Sequence, residues 1–218
     1  MNAFRIARIA HVACIVGAAI AMMSALLIGP AGSPPAHADP CPNVEVVFAR
    51  GTGAPAGSVS PTGQAFIDAL RSQIGARSMG VYPVNYPATW AFAESARAGA
   101  DDVNAHVQDM IGRCPKTRIV LGGMSQGAGV MDLATTILPP EAADHIAGVA
   151  LFGNPKSMLA TAASGGFPDV SPLYSSKTID MCAPDDPACS GGFNPQAHGS
   201  YAHSDMPAQA AAFVASRL

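Results

Sequence analysis

One serine of the chain lies in a pattern that suits a nucleophile. Gly123-Met124-Ser125-Gln126-Gly127 has the form G-x-S-x-G, between a predicted strand over 118–122 and a predicted helix over 126–138. A sharp strand-to-helix turn holds a serine hydroxyl clear of the sheet, and the flanking glycines let backbone pass closely. The helix N-terminus adds partial positive charge near a developing oxyanion. Glycine-rich turns match this pattern by chance, but its place between strand and helix favours Ser125 as a nucleophile.

A serine hydroxyl needs a base, and histidine is the usual one. In α/β hydrolases the acid and then the histidine follow the serine along the chain. His198 and His203 meet that order. His106 precedes the serine in a predicted helix, and His145 directly precedes a predicted strand, so both are expected to be structural. Spacing alone leaves the choice between His198 and His203 open.

The acid candidates are Asp185 and Asp186, which lie between Cys182 and Cys189. This segment follows a predicted strand over 177–181, at the sheet edge where open α/β folds place their sites. A disulfide across it would fix a carboxylate, which suits an acid that orients a histidine and stabilises the imidazolium. An ordinary turn is the alternative, because Pro-Asp and Asp-Pro are common turn dipeptides.

The elements that must position these groups alternate along the chain. Short apolar runs are followed by amphipathic helical stretches, which predicts a parallel sheet covered by helices on both faces. Residues 153–176 are rich in Gly, Ser and Pro and are expected to form a long functional loop. The predicted strands are 44–49, 80–84, 118–122, 146–152 and 177–181, and the predicted helices are 62–74, 95–111, 126–138 and 206–218.

The first 38 residues have the features of an export signal. Arg5 and Arg8 precede the apolar stretch 12–28, and Ala36-His37-Ala38 offers an A-x-A cleavage site. We therefore expect cleavage after Ala38 and a secreted, extracellular protein, with association with the cell wall as a variant of that location. An uncleaved membrane anchor is the alternative, because the apolar stretch is near the lower length of a membrane span.

Composition predicts one domain over residues 39–218. The chain has 218 residues, of which 49% are hydrophobic and 12% are charged, a balance typical of a well-buried core. The formal net charge is −3, and loss of Arg5 and Arg8 with the leader makes it −5. Because no basic patch stands out, nucleic acid is not an expected partner.

Four cysteines remain after removal of the leader, which contains Cys14. An even number in an exported chain predicts two disulfides, with three possible pairings. We favour Cys182–Cys189, which closes a short loop, and Cys41–Cys114, which ties the mature N-terminus to the body. Metal binding is disfavoured because no C-x2-C pair occurs.

At these residues the sequence resembles the cutinase family, in its bacterial cutinase-like branch. The resemblance covers most of 41–218. It is carried by the G-x-S-x-G motif, by an aspartate four residues after Cys182, by His198-Gly199-Ser200-Tyr201 and by Ala49-Arg50-Gly51-Thr52 after the first strand. Each part alone is common, whereas the combination is specific.

The resemblance implies roles and a fold. It implies Ser125 as nucleophile, Asp186 as acid and His198 as base, with the backbone N–H groups of Thr52 and Gln126 as the oxyanion hole. Fungal members usually have serine where this chain has Thr52. It favours the same two disulfides, and it implies a lidless three-layer α/β/α sandwich around a five-stranded parallel sheet, with no metal and no cofactor.

The expected function is secreted serine esterase activity on carboxylic esters of short- to medium-chain fatty acids. Alternatives on the same residues are phospholipase, thioesterase or acyltransferase activity, and an alternative of another class is a catalytically idle secreted binding protein or antigen. The expected partner is an ester or lipid substrate, with at most transient contact with lipid surfaces, and the protein is expected to be a monomer. Large side chains that could line an acyl groove are Trp90, Phe92, Leu173, Tyr174 and Phe193.

Overall fold

The computed structural model describes residues 41–218. The predicted leader 1–38, its cleavage site and Cys14 lie outside the described residues, so the expected boundary after Ala38 stays a prediction. None of the helices within 41–218 is long and apolar enough to cross a membrane.

Five parallel strands form one sheet in the order β2-β1-β3-β4-β5. The central strands are rich in Val, Ile and Leu because helices cover both of their faces and leave no polar side. Both the number of strands and their parallel arrangement agree with the expectation from the sequence. The strands are β1 (Val44–Ala49), β2 (Met79–Pro83), β3 (Arg118–Met124), β4 (Ile146–Phe152) and β5 (Thr178–Met181).

Helices cover the sheet on both sides and give three layers. Helices α2 and α3 pack on one face, and α1 and α6 pack on the other. The helices are α1 (Ser60–Gln73), α2 (Phe92–Arg113), α3 (Gln126–Ile137), α4 (Met158–Ser164), α5 (Pro195–Gly199) and α6 (Met206–Ala215), and 3₁₀ turns span Pro140–Asp144, Ser175–Lys177 and Tyr201–His203.

Alternate residues of each strand enter different cores. Val47 of β1 packs with α2 and α3, whereas its neighbours Val46 and Phe48 pack with α1 and α6. This division follows from the two-residue repeat of a strand. The result is a rigid sheet whose carboxyl ends can hold side chains at fixed positions.

Several elements differ from the prediction: helices α4 and α5 were not predicted, α6 ends at Ala215 rather than at residue 218, and α2 begins earlier than expected. Helix α4 lies inside the stretch 153–176 that was expected to be a loop. It is only seven residues long, and it is defined by its ends: Ser157 accepts a hydrogen bond from Ala160 N, and Gly165 has the left-handed φ of 81°. Helix α2 begins at Phe92 rather than at residue 95.

Both favoured disulfides are present in the structure. Cys41–Cys114 joins the segment before β1 to the end of α2, across 73 residues of sequence. Cys182–Cys189 closes a loop directly after β5. The second disulfide therefore lies at the carboxyl edge of the sheet, where β3 also ends.

Candidate active site

Ser125 occupies the tight turn between β3 and α3. Its backbone has φ 55° and ψ −122°, a left-handed conformation that a residue with a side chain rarely adopts. Its N–H donates to Phe152 O at 2.9 Å, which anchors the turn to the neighbouring strand β4. The strained turn presents the serine hydroxyl above the carboxyl edge of the sheet.

The glycines on either side of Ser125 are required by close approaches of backbone. A Cβ on Gly123 would lie 2.2 Å from Gly127 O, and a Cβ on Gly127 would lie 2.1 Å from Ala49 O. Both distances are far below van der Waals contact with atoms that cannot rotate away. The G-x-S-x-G pattern is therefore explained sterically at both of its glycines.

Three side chains from three segments form a continuous hydrogen-bonded chain. His198 Nε2 lies 2.8 Å from Ser125 Oγ. His198 Nδ1 lies 2.9 Å from each carboxylate oxygen of Asp186. The structure thus brings together Ser125, Asp186 and His198, whereas Asp185 is exposed at the surface and His203 makes no hydrogen bond to the serine.

Asp186 is completely buried, and donors surround it. Besides His198, the Ala188 N–H donates to its Oδ1 at 2.7 Å, and the Tyr201 hydroxyl donates to its Oδ2 at 2.6 Å. Burial of a carboxylate away from water costs free energy unless donors of this kind bind it. The Cys182–Cys189 disulfide closes the loop that carries it.

Tyr201 is a further functional candidate, a member of the His198-Gly199-Ser200-Tyr201 motif whose role is visible only in the structure. Its ring is fully buried, and its hydroxyl accepts the Ala183 N–H at 2.9 Å while donating to Asp186. Burial is the main cause that raises the pKa of this hydroxyl above its ordinary value. The hydroxyl therefore stays protonated as a donor to Asp186. In the sequence, the signal that could have found Tyr201 is its position three residues after His198.

The loop after β1 also lies beside Ser125. Gly51 and Thr52 line the cavity in front of the serine. Within residues 41–218 the backbone N–H groups of Thr52 and Gln126 donate no hydrogen bond. Two free donors near a nucleophile fit the requirement for binding an oxyanion.

Arg50 stabilises this loop by donating hydrogen bonds to backbone carbonyls. Its side chain is 3% exposed and donates to Ala54 O at 2.9 Å and to Tyr86 O at 2.7 Å, with a longer bond of 3.3 Å to Val84 O. The Tyr86 hydroxyl in turn donates to Arg50 O. These bonds join the Thr52 loop to the segment after β2 and fix the position of the Thr52 N–H.

Within the described part of the chain the backbone N–H of Gln126 is free, whereas its side chain binds the segment between Thr89 and Ser95. Its amide nitrogen donates to Thr89 O at 2.8 Å, and its amide oxygen accepts the Ser95 hydroxyl at 3.2 Å. The Thr89 N–H donates to Ser95 Oγ at 3.2 Å. This network fixes Trp90 and the start of α2 at Phe92 beside the serine.

Two cavities lie beside Ser125, and Phe92 lines both. The larger has a volume of about 520 Å³ and includes Thr52, His198 and Trp90 in its wall. The smaller has a volume of about 130 Å³ and lies on the Gln126 side, against α4. The serine is thus directly accessible from a cavity open at the surface.

The other large side chains proposed for an acyl groove have different positions. Tyr174 is fully buried in the core beside α2 and α3. Leu173 and Phe193 are 52% and 88% exposed, and they line neither cavity beside Ser125. Sequence distance from the serine could not separate these cases, because each of the five residues lies in a loop or directly beside one.

Both histidines expected to be structural are remote from Ser125. His106 Nε2 lies 3.0 Å from Glu45 Oε2, and its ring stacks on Tyr82 at 3.5 Å between centroids. The backbone of His145 caps the 3₁₀ turn before β4.

Comparison with known proteins agrees with the geometry. The family profile named Cutinase matches residues 40–218. The chain belongs to the cutinase family. Both the recognition of the family from motifs and the predicted three-layer α/β fold with a five-stranded parallel sheet are thereby confirmed.

Similar proteins of the cutinase family are found among curated sequences and solved structures. Carboxylesterase Culp1 of Mycobacterium tuberculosis is 55% identical over 206 residues, which cover 94% of each chain. Phospholipase Culp4 of the same organism is 47% identical and covers 94% of this chain and 90% of its own. The structure of Trichoderma reesei cutinase in complex with a phosphonate inhibitor has a TM-score of 0.67 at 34% identity, and it covers 81% of this chain and 76% of its own.

Proposed function

We propose that this protein is a serine esterase that hydrolyses carboxylic esters through an acyl-enzyme on Ser125. The observation that carries the proposal is the hydrogen-bonded chain Ser125–His198–Asp186, at 2.8 and 2.9 Å. Membership of the cutinase family and similarity to proteins named carboxylesterase support the same reaction class.

In the first half of the reaction, Ser125 Oγ attacks the ester carbonyl carbon while His198 Nε2 takes the hydroxyl proton. Asp186 accepts the Nδ1–H of His198 and stabilises the imidazolium that forms. The N–H groups of Thr52 and Gln126 bind the oxyanion, and each such donor contributes about 3–4 kcal/mol in related enzymes. His198 then protonates the departing alkoxide, and the acyl group remains on the serine.

In the second half, water attacks the acyl-enzyme. His198 takes a proton from the water, the oxyanion forms again between Thr52 and Gln126, and the carboxylic acid leaves as Ser125 recovers its proton. All proton transfers in both halves of the reaction pass through the imidazole of His198.

The proposed substrates are esters of short- to medium-chain fatty acids. Most of the surface that lines the cavities beside the serine is apolar, which favours alkyl groups over charged ones. A phospholipid ester is the second candidate, because the relative named phospholipase Culp4 is 47% identical over nearly the whole chain. Assays of phosphatidylcholine and of a water-soluble ester at equal concentration distinguish the two.

We also propose that the chain is exported with removal of residues 1–38 and acts as a monomer outside the cell. The charged start, the apolar stretch and the A-x-A site support export. The two disulfides support an oxidising compartment. N-terminal sequencing of the protein from culture medium should begin at Asp39.

A fluorophosphonate probe tests the reaction class directly. The folded mature protein should be labelled and lose ester hydrolysis in proportion, whereas Ser125→Ala should show neither labelling nor hydrolysis. Equal labelling of both proteins, or none of folded wild type, would refute the proposal. An assay with added acceptor alcohol then separates hydrolysis from acyl transfer by the product formed.

A further inference from the structure

A further cavity, with a volume of about 460 Å³, lies at the amino edge of the sheet, between β1, β2 and the end of α2. Glu45 of β1 pairs in register with Ile119 of β3, and Ile119 lies six residues before Ser125. At about 3.3 Å per strand residue, this cavity is about 20 Å from the catalytic serine and separate from the reaction centre. We call it the amino-edge cavity; its wall includes Glu45, Met79, Gly80, Val81, His106 and Met110.

Glu45 is an unusual residue for its position. It is the one charged residue of β1, all six residues of which are buried. The other five are apolar, as expected for a strand with helices on both faces. The Glu45 side chain is only 10% exposed. A carboxylate at this position loses much of its hydration, so it needs an explanation that packing alone does not supply.

Only one of the two carboxylate oxygens of Glu45 has a partner among residues 41–218. His106 Nε2 lies 3.0 Å from Oε2, whereas no donor of the described residues forms a hydrogen bond with Oε1. Oε1 lies 3.6 Å from the position that a Cβ on Gly80 would occupy, and both residues line the cavity. A carboxylate oxygen without a protein donor therefore faces the amino-edge cavity.

The neighbours of Glu45 keep this oxygen in place. The His106 ring stacks on Tyr82, with 3.5 Å between ring centroids, and the Tyr82 hydroxyl donates to Asp102 at 3.0 Å. The imidazole that contacts Glu45 is thus itself held by a fixed ring. The carboxylate is ordered before any ligand arrives, which lowers the entropic cost of binding.

The arginine at the rim of the cavity is engaged elsewhere. Arg113 is more than half exposed and forms an ion pair with Asp109. The hydrogen bond from Arg113 to Asp109 is the main cause that raises the pKa of Arg113, and Glu45 contributes least. The guanidinium therefore does not neutralise Glu45.

Gly80 leaves the wall open in front of Glu45. Glycine inside a strand often marks a site that another group approaches closely. A Cβ at this position would lie 3.2 Å from Pro42 Cγ as well as beside Glu45 Oε1. The wall continues with apolar side chains, which include Met79, Val81 and Met110. The cavity thus combines one anionic acceptor with an apolar surface.

We propose that the amino-edge cavity binds an alkylammonium ion, whose ammonium group donates to Glu45 Oε1 and whose alkyl chain contacts the apolar wall. An ammonium group has three N–H donors, and hydrogen bonds between ionised partners are stronger than neutral ones. An alcohol of equal length would lack the charge, and a carboxylate would be repelled by Glu45. This site is independent of the proposed esterase reaction.

The cavity has room for an alkyl chain of several carbons. At about 30 Å³ for each methylene group, a hexyl chain fits within the volume. We expect a Kd on the order of 1 mM for n-butylammonium, which is within the range open to so small a ligand. Affinity should increase about fourfold with each added methylene from ethyl to hexyl.

Isothermal titration calorimetry with n-butylammonium chloride tests the proposal. The buffer is phosphate at pH 7, because amine buffers would compete for the site. Butan-1-ol should bind at least tenfold more weakly than n-butylammonium, and sodium butanoate should not bind. Absence of n-butylammonium binding, or equal affinity for the alcohol, would refute the proposal.

A second titration distinguishes this cavity from those beside Ser125. Protein treated with the fluorophosphonate probe should bind n-butylammonium with the same affinity as untreated protein. An affinity lost on labelling would place the ligand beside Ser125 and overturn the assignment. A failure to label would refute the esterase function while leaving the titration of n-butylammonium valid.

The decisive variant is Glu45→Gln, which keeps the size of the side chain and removes its charge. It should weaken n-butylammonium binding at least tenfold and butan-1-ol binding less than twofold. Glu94→Gln is the matched control, because it removes the same charge from an exposed position on α2 and should change neither affinity.

Gly80→Ala tests the same cavity without changing a charge and serves if circular dichroism shows that Glu45→Gln does not fold. Its added methyl group should weaken n-butylammonium binding at least fivefold. Gly112→Ala is its control, because a Cβ on Gly112 meets no atom within 4 Å, and it should have no effect. Unchanged binding in folded Glu45→Gln or in Gly80→Ala would mean that the Glu45–His106 pair only joins β1 to α2, and would overturn the proposal.

Discussion

Asp186 and Asp132 are both completely buried aspartates, yet their surroundings differ. Donors arranged around Asp186 come from a histidine, a tyrosine and a backbone N–H. Asp132 on α3 has the Lys156 ammonium at 2.9 Å and a longer contact of 3.4 Å from Asn154. Burial raises the pKa of Asp132 to about 6, while Lys156 and Asn154 lower it less.

The comparison shows that burial does not by itself make a carboxylate useful to a base. Asp186 lies in a short loop closed by a disulfide, and it faces an imidazole whose other nitrogen contacts Ser125. Asp132 instead holds Lys156, which donates to backbone carbonyls beyond α4. We therefore assign the first cluster to chemistry and the second to fixing the wall of the small cavity.

The largest expected effect separates the two aspartates by activity. Asp186→Asn should lower kcat about 10⁴-fold with the fold retained, because an amide that donates to Nδ1 stabilises the wrong histidine tautomer. Asp132→Asn should change kcat on p-nitrophenyl acetate less than fivefold. Kinetics at pH 7, with circular dichroism of both variants, measure this. Similar losses of kcat in the two variants would contradict the assignment of Asp186, and not Asp132, to the reaction.

The second prediction concerns how stability depends on pH. The ordinary pKa of the carboxyl is 3.8 and that of folded Asp132 is about 6, so between these values the folded state binds the extra proton. Stability from this group is therefore present below about pH 4 and is lost as pH rises through 6. The shift corresponds to about 3 kcal/mol. Urea unfolding between pH 4 and pH 7 should show that the free energy of unfolding of the wild type falls by this amount relative to that of Asp132→Asn.

The matched control for this pH dependence is Asp169→Asn. Asp169 is 98% exposed and pairs with the same Lys156 at 3.2 Å, so its ion pair is screened by solvent. The difference in stability between wild type and Asp169→Asn should stay nearly constant from pH 4 to 7. An equal slope in the two aspartate variants would count against the burial of Asp132 as the cause.

The smallest expected effect concerns the buried tyrosines of the two regions. Tyr201→Phe removes the donor to Asp186 and should lower kcat about tenfold, with KM within twofold, because the carboxylate orients His198 less well. Stability should fall by about 1–2 kcal/mol. Tyr174 is the control, since its buried hydroxyl has no hydrogen-bond partner within residues 41–218. Tyr174→Phe should leave kcat unchanged and should raise stability by about 1–3 kcal/mol, because it removes a buried hydroxyl that has no partner. A kcat loss matching that of Tyr201→Phe would contradict the positioning role of Tyr201.

Several features were predictable because they are local. The strand before Ser125 and the helix after it follow from apolar periodicity, and the glycines follow from the turn that joins them. The choice of Asp186 over Asp185 is not local in this sense. The two residues are adjacent, and only the folded loop buries one and exposes the other.

Other features depend on contacts between distant segments. Arg50 stabilises the Thr52 loop through carbonyls more than thirty residues away, and no short pattern encodes that contact. Helix α4 was missed because seven residues are too few to establish a periodicity. Its position in the wall of the smaller cavity depends on the hydrogen bonds from Lys156 to Pro168 O and from Ser157 to Pro187 O.

The sequence by itself determined the chemical groups available, their order along the chain and the alternation of strands and helices. It could do so because residue type and apolar repeat act over a few neighbouring positions. The family resemblance implied Asp186 as the acid and named the N–H groups of Thr52 and Gln126, and the tertiary structure gives the physical basis, because it buries this one aspartate beside the imidazole and leaves both N–H groups free within residues 41–218. The tertiary structure alone decided how space is divided on either side of Ser125. Those outcomes depend on distances between segments that only the packed sheet brings together.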